Sequence, residues 1–289
     1  MIDLLTRTAH EGYGPSSPAD AAPTLSRLLE DGKARATLLF EAPNEQNDHA
    51  RTLRALAVTG FIELGPARAW LELPPVHFVD ALLERERMKT PLLLGAARVS
   101  AENASSGMAL VFLAFALGPD FTDPSVGKHL ALMHEGFRLF HEGYYCPLAL
   151  HPAPQTPTAR ESLLGTGFQP AGDGKSVWFL DTTTLTNAPY HPLVVVLRKF
   201  PPKLAFTAGQ REMLFRALLG YTDAEVAEDL FVSVETVRKR WRSIFQRVSD
   251  RADLGIFTAD RVQSETTRGP EKRRRLLQYL ASHLEEVRP

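Results

Sequence analysis

Two threonines fifteen residues apart, each followed three positions later by a glutamine or glutamate, constrain the C-terminal third of this chain more than any other feature. Thr207-Ala208-Gly209-Gln210 and Thr222-Asp223-Ala224-Glu225 both have the form of a capping box, in which the threonine hydroxyl and the later side chain close the first turn of a helix from both sides. After the first box, Met213, Leu214, Ala217 and Leu218 share one face until Gly220 ends the helix. After the second, Val226, Ala227 and Leu230 form the inner side of a short helix. Phe231-Val232 makes a tight turn, and Ser233 caps a third helix in which Val237, Trp241, Ile244 and Val248 recur at steps of four, three and four. Each helix has one apolar stripe, so the three must bury these stripes against one another.

The other face of the third helix is basic: Arg238, Lys239, Arg240, Arg242 and Arg247 stand against one acid, Glu235. Such a helix suits a DNA major groove. Arginine and lysine donate to guanine O6 and N7, and the hydroxyls of Ser233 and Thr236 suit phosphate oxygens. At these residues the stretch FTAGQREMLFRALLGYTDAEVAEDLFVSVETVRKRWRSIFQRV resembles the DNA-binding helix-turn-helix of LuxR-type transcription regulators. The likeness is carried by Thr207, Gln210, Arg211 and Glu212, by Ala224-Glu225-Val226-Ala227, and by Ser233, Thr236, Val237 and Arg238. It covers about 45 of 289 residues. It implies that Arg238, Lys239 and Arg242 face the groove and Thr236 the backbone, with Arg240 where a histidine is usual. Double-stranded DNA is then the expected partner, bound by a homodimer whose two such helices reach half-sites about 34 Å apart.

Beyond this module, Arg251–Phe257 stands where the family places a fourth helix, Asp260–Pro270 reads as a break, and a last helix is expected over Glu271–Val287. Its opening Lys272-Arg273-Arg274-Arg275 reads either as an auxiliary DNA contact or as a solvated first turn. Cations at a helix N-terminus oppose the dipole and call for an external reason. From Pro201 onward the chain carries 16 Lys and Arg against 13 Asp and Glu, whereas the first 200 residues carry 17 against 21, so the positive end is the C-terminal one.

Pro201-Pro202 interrupts both strand and helix. The expected organisation is an α/β (α+β) sensing or dimerisation domain over 1–197, a linker over 198–206, an all-α DNA-binding domain over 207–257 and an extension over 258–289. Strands are expected at Thr37–Glu41, Ala69–Leu73, Pro91–Val99, Met108–Leu117, Pro147–Leu150, Ser176–Leu180 and Leu193–Leu197. Helices are expected at Ala22–Glu30, Asp48–Val58, Val76–Arg87, Pro124–Phe140 and Thr158–Leu164. Thr37–Pro74 and Leu148–Thr182 both read as strand, helix, Thr-Gly-Phe and strand. This suggests a partly duplicated element, with Gly60 and Gly167 ending its helices and Phe61 and Phe168 folding back.

The order from Met108 to Leu180 is similar to the C-terminal half of GNAT acetyltransferases. That likeness implies an anion-binding loop at a helix N-terminus, with Ser125, Val126, Gly127 and Lys128 as candidate ligand-binding residues and an acyl-coenzyme A-like molecule as candidate ligand. Only Gly127 keeps the family's loop pattern. Leu163 stands where the family often has a tyrosine general acid and cannot donate a proton, so no enzymatic activity is expected. The competing readings are an acyl-coenzyme A-binding or acetyltransferase protein with a nucleic-acid tether, and a module whose basic helix binds an acidic protein. PAS, GAF and acyl-homoserine-lactone sensor folds stay open for the first domain.

Hydrophobic residues at 44% and charged residues at 23% exclude a disordered or collagen-like chain. The apolar run Gly107–Leu117 is too short to span a bilayer, and the N-terminus has no secretory pattern, so a cytoplasmic location is expected. Cys146 is the single cysteine and reads as a buried small hydrophobe. His134 and His141 lie two helical turns apart, about 10 Å, too far to share one metal ion, and no metal is expected.

Overall fold

The computed structural model describes residues 15–41, 52–72, 74, 77–117, 126–154, 156–172, 176–182, 193, 197–198, 200–257 and 269–288. The chain is mixed α/β and divides into two compact units, Met1–Arg198 and Lys199–Pro289.

Unit 1 contains α1 (Pro18–Glu30), β1 (Ala34–Glu41), β2 (Thr52–Glu63), α2 (Leu64–Glu72), α3 (Phe78–Arg87), α4 (Ala96–Ala104), β3 (Met108–Leu117), α5 (Val126–His141), β4 (Leu148–Pro152), α6 (Pro157–Gly165), β5 (Gln169–Pro170) and β6 (Val177–Asp181). The strands form one sheet in the order β1-β2-β3-β4-β6-β5. Every pairing is antiparallel except β3 with β4, which α5 connects. Both faces of β3 are buried: Met108 and Leu110 belong to one core, and Ala109, Val111 and Leu113 to another. This is why its sequence is an unbroken apolar run instead of an alternation. Leu25, Leu28, Phe78, Leu82 and Leu83 of α1 and α3 fill the second core, while Phe137 of α5 and Leu163 of α6 fill the first.

Polar anchors hold α5 to the sheet. Arg35 of β1 donates to the Phe140 carbonyl (2.8 Å) and the Tyr144 hydroxyl (2.9 Å), its guanidinium stacked over the Phe61 and Tyr144 rings. The buried His141 ring bridges Thr59 Oγ1 and the Phe137 carbonyl. A side chain at Gly136 would collide with Thr37, so glycine permits this helix to lie close on β1.

Several expectations for unit 1 are corrected. Asp48–Val58 is not a helix where it is described: Thr52–Glu63 forms β2, whose Ala- and Leu-rich sequence is extended because it lies between β1 and β3. Ala69–Leu73 is not a strand, because α2 runs to Glu72 with Ala67 buried and Trp70 edge-on to Phe78, a helical spacing. Pro91–Val99 supplies one bridge, Leu93 to Ile62, before α4 begins. Leu193 and Leu197 are helical, not part of a strand. The duplication dissolves with these elements. Gly60 lies within β2 against the Leu93 side chain, whereas Gly167 adopts φ +80° after α6 and lets Phe168 bond back to the Leu163 carbonyl.

Unit 2 contains α7 (Ala208–Leu218), α8 (Asp223–Asp229), α9 (Val234–Ser249), a short 3-10 turn at Ala252–Leu254, α10 (Gly269–Ala281) and a second 3-10 turn at Leu284–Val287. Both capping boxes are formed in full, Thr207 with Gln210 and Thr222 with Glu225. The last helix is shorter than Glu271–Val287, because α10 stops at Ala281. Leu276, Leu280 and Leu284 are buried, and α10 and the final turn pack against α7.

Candidate nucleic-acid interface

The geometry of α9 follows from its two opposite faces. Val237, Trp241, Ile244 and Val248 are buried and seat the helix on α7 and α8. Ser233 caps it, accepting from the Thr236 backbone N–H (3.1 Å), and the two hydroxyls lie 2.9 Å apart. Gln210 donates to Ser243 Oγ (3.2 Å), so the side chain that completes the α7 capping box also ties α7 to α9. Trp241 is fixed at its polar end, its indole N–H donating to Asp223 of α8 (3.1 Å).

Arg238, Lys239 and Arg242 project outward from the opposite face. The side chains of Arg238 and Arg242 are 66% and 68% exposed, which leaves them able to meet a polyanion. Glu235 lies between them, 2.8 Å from Arg242 and 3.9 Å from Arg238. Arg240 points elsewhere: it is half-buried and donates to the Gly209 carbonyl in the first turn of α7 (3.4 Å). Arg247 also turns inward, donating to the Ala205 carbonyl (3.0 Å). The exposed basic face is therefore narrower than the charge count of the helix.

The cluster at the start of α10 is engaged within unit 2. Arg273 donates to Asp223 (2.7 Å) and stacks on Trp241, its guanidinium carbon 4.7 Å from the ring centre. Lys272 lies over the Phe257 ring. Arg274 and Arg275 both bond Glu271, and these bonds, Arg274 first, pull the Glu271 carboxyl down to about 2. The reason for cations at this helix start is thus internal, two carboxylates and two aromatic rings, and of the four only Arg274 is largely exposed. Sequence reasoning missed Glu286, which is buried and accepts from the Lys203 and Leu204 backbone N–H groups (2.9 and 2.8 Å) and from Tyr279, clamping the tail to the segment entering α7.

In unit 1, Ser125 lies outside the described residues, Val126 opens α5, and Gly127 and Lys128 are exposed in its first turn. Leu163 is buried among apolar side chains. His151 is fully enclosed against Phe112 and Phe168, and burial, partly opposed by its bond to the Pro152 carbonyl, lowers its pKa to about 4. The Cys146 thiol is buried and pushed up by desolvation, so it is no nucleophile at neutral pH. A surface cavity of ≈ 470 Å³ between α1 and α3 presents Asp20, Asp80, Glu84 and Arg87, with Asp80 accepting from the Ser16 N–H and Arg87 bonded to Glu84 and the Asp20 carbonyl. Among the described residues no cluster of His, Cys, Asp and Glu is arranged to hold a metal ion, and no helix is long and apolar enough to cross a membrane. No protein-family model, curated protein or solved structure matches this chain.

Proposed function

We propose that this protein is a DNA-binding transcriptional regulator whose unit 2 is a LuxR-type helix-turn-helix and whose unit 1 serves ligand sensing or dimerisation. One observation carries the reading: α9 buries Val237, Trp241, Ile244 and Val248 and turns Arg238, Lys239 and Arg242 to solvent on the opposite face. A helix held from one side with exposed guanidinium groups on the other has the form that enters a major groove. Ser233 and Thr236 stand at its leading end, where phosphate oxygens come within reach. Arg240 supports the interface from behind through α7. Of the α10 residues, Arg274 is the one exposed enough to add a phosphate contact, while Lys272, Arg273 and Arg275 brace the module.

Dimerisation is assigned to unit 1, whose edge strand β1 exposes Leu38 and Phe40. A small-molecule effector would control DNA binding only through different affinities for competent and incompetent arrangements of the dimer. The test is selection of bound sequences from a random duplex pool by the full chain, followed by footprinting. Enrichment of a motif with two half-sites supports the reading. Failure to enrich any sequence, together with binding that ignores salt, refutes it.

A second reading of unit 1 is favoured by the parallel pair at its centre. The β3–β4 register covers only Ala109–Val111, although β3 runs on to Leu117, so the two strands part beyond Val111. A GNAT-like fold fits this topology, with Gly127 and Lys128, exposed in the first turn of α5, as the candidate contacts for an acyl-coenzyme A-like effector. Calorimetry with acetyl-coenzyme A should then show binding, and an acetyl-release assay should show no turnover, since buried Leu163 offers no proton.

A further inference from the structure

Between Ser233 and Val248 the third helix of unit 2 carries one acid, and it stands in the middle of the outward basic face. Glu235 occupies the first turn of α9, with Arg238 three residues on and Arg242 seven. An acid in a first turn is ordinarily explained by the helix dipole. Here, however, Ser233 already caps the helix, and the Glu235 carboxylate extends along the outer face, where Arg242 donates to Oε1 (2.8 Å) and Arg238 lies 3.9 Å from Oε2. The Glu235 side chain is 54% exposed, so it is held by its neighbours without being covered by them. A lone carboxylate facing DNA would be repelled by the phosphates. One flanked by two guanidinium groups carries its own compensation into the groove.

The atoms a carboxylate can meet there are few. Guanine presents only acceptors in the major groove and thymine an acceptor and a methyl group; adenine offers its N6 amino group beside an N7 acceptor that repels a carboxylate, so the matching partner for a glutamate is the cytosine N4 amino group. We propose that Glu235 is a specificity-determining residue, accepting from a cytosine N4 amino group at one position of each half-site while Arg238 and Arg242 hold its carboxylate in place. This assignment rests on the DNA-binding reading above and adds a base identity to it. It also accounts for the ion pairs, which fix the acceptor on the helix face before DNA arrives, so that less side-chain freedom is lost on binding.

The experiment is parallel sequence selection with the full-length protein and two variants, Glu235→Ala and Glu235→Gln, each followed by titration of duplexes changed at single base pairs. The wild type should discriminate against replacement of one C·G pair by roughly ten- to a hundredfold. Glu235→Ala should lose discrimination at that pair alone, with the rest of the motif unchanged. Glu235→Gln should shift the preference there to adenine, because an amide both accepts from N6 and donates to N7. Identical motifs for wild type and both variants would overturn the proposal. So would tighter binding to every sequence without a change of motif, which would reduce Glu235 to a charge effect. Wild-type protein that enriches no sequence would remove the DNA-binding reading itself, and this assignment with it.

Discussion

The two units use the same materials over different distances. In unit 2 the polar contacts that start α7, α8 and α9 link residues three apart: Thr207 with Gln210, Thr222 with Glu225 and Ser233 with Thr236. In unit 1 the decisive polar contacts join residues far apart, Arg35 to Phe140 and Tyr144, and Thr59 to His141. Both units also contain a buried glutamate that clamps two successive backbone N–H groups. Glu86 binds those of Leu92 and Leu93 (both 2.9 Å), six and seven residues away, and also Lys33. Glu286 does the same for Lys203 and Leu204 across more than eighty residues. The difference teaches that nearness in sequence decides how readable an interaction is, and says nothing about how much it stabilises.

That lesson can be broken by mutation. The largest effect is expected at Trp241, where the stripe of α9, the bond to Asp223 and the stacked Arg273 converge. Trp241→Ala should cost ~3–5 kcal/mol in urea denaturation of the full chain, following unit 2 by its loss of helical signal. Next come the two clamps. Glu86→Ala and Glu286→Ala should each cost about 2–4 kcal/mol, because each leaves two backbone donors without their buried acceptor. Equal costs would sharpen the comparison, while a negligible cost for Glu286→Ala beside a large one for Glu86→Ala would break it. The smallest effect belongs to the most legible feature: Thr222→Ala should cost ~1 kcal/mol, measured the same way. A cap worth as much as Trp241 would mean that local signals, not the buried stripe, hold unit 2 together.

What could be read in advance follows the same division. The ends of α7, α8 and α9 were written in Thr207, Thr222, Ser233 and Gly220, the last at φ +90°, since each acts on its own turn. Met108–Leu117 was equally plain as a strand, because burial on both faces leaves no polar position. β2 was not, because Leu53, Ala55, Leu56 and Ala57 favour a helix until β1 and β3 pair with them. Nor does a run of arginines reveal its own directions. Arg240 goes to Gly209 and Arg273 to Asp223 and Trp241, partners 31 to 50 residues away, so charge counting overstated the basic face.

The measurement that bears most directly on the outward face of α9 is the salt dependence of DNA binding by the wild type and by a variant combining Arg238→Ala, Lys239→Ala and Arg242→Ala. A labelled duplex carrying the selected site would be titrated over a series of salt concentrations. The wild type should lose affinity linearly on logarithmic axes, and the variant should bind at least about tenfold more weakly with a slope shallower by roughly 1–2. Equal affinity and equal slope for the two proteins would contradict the account.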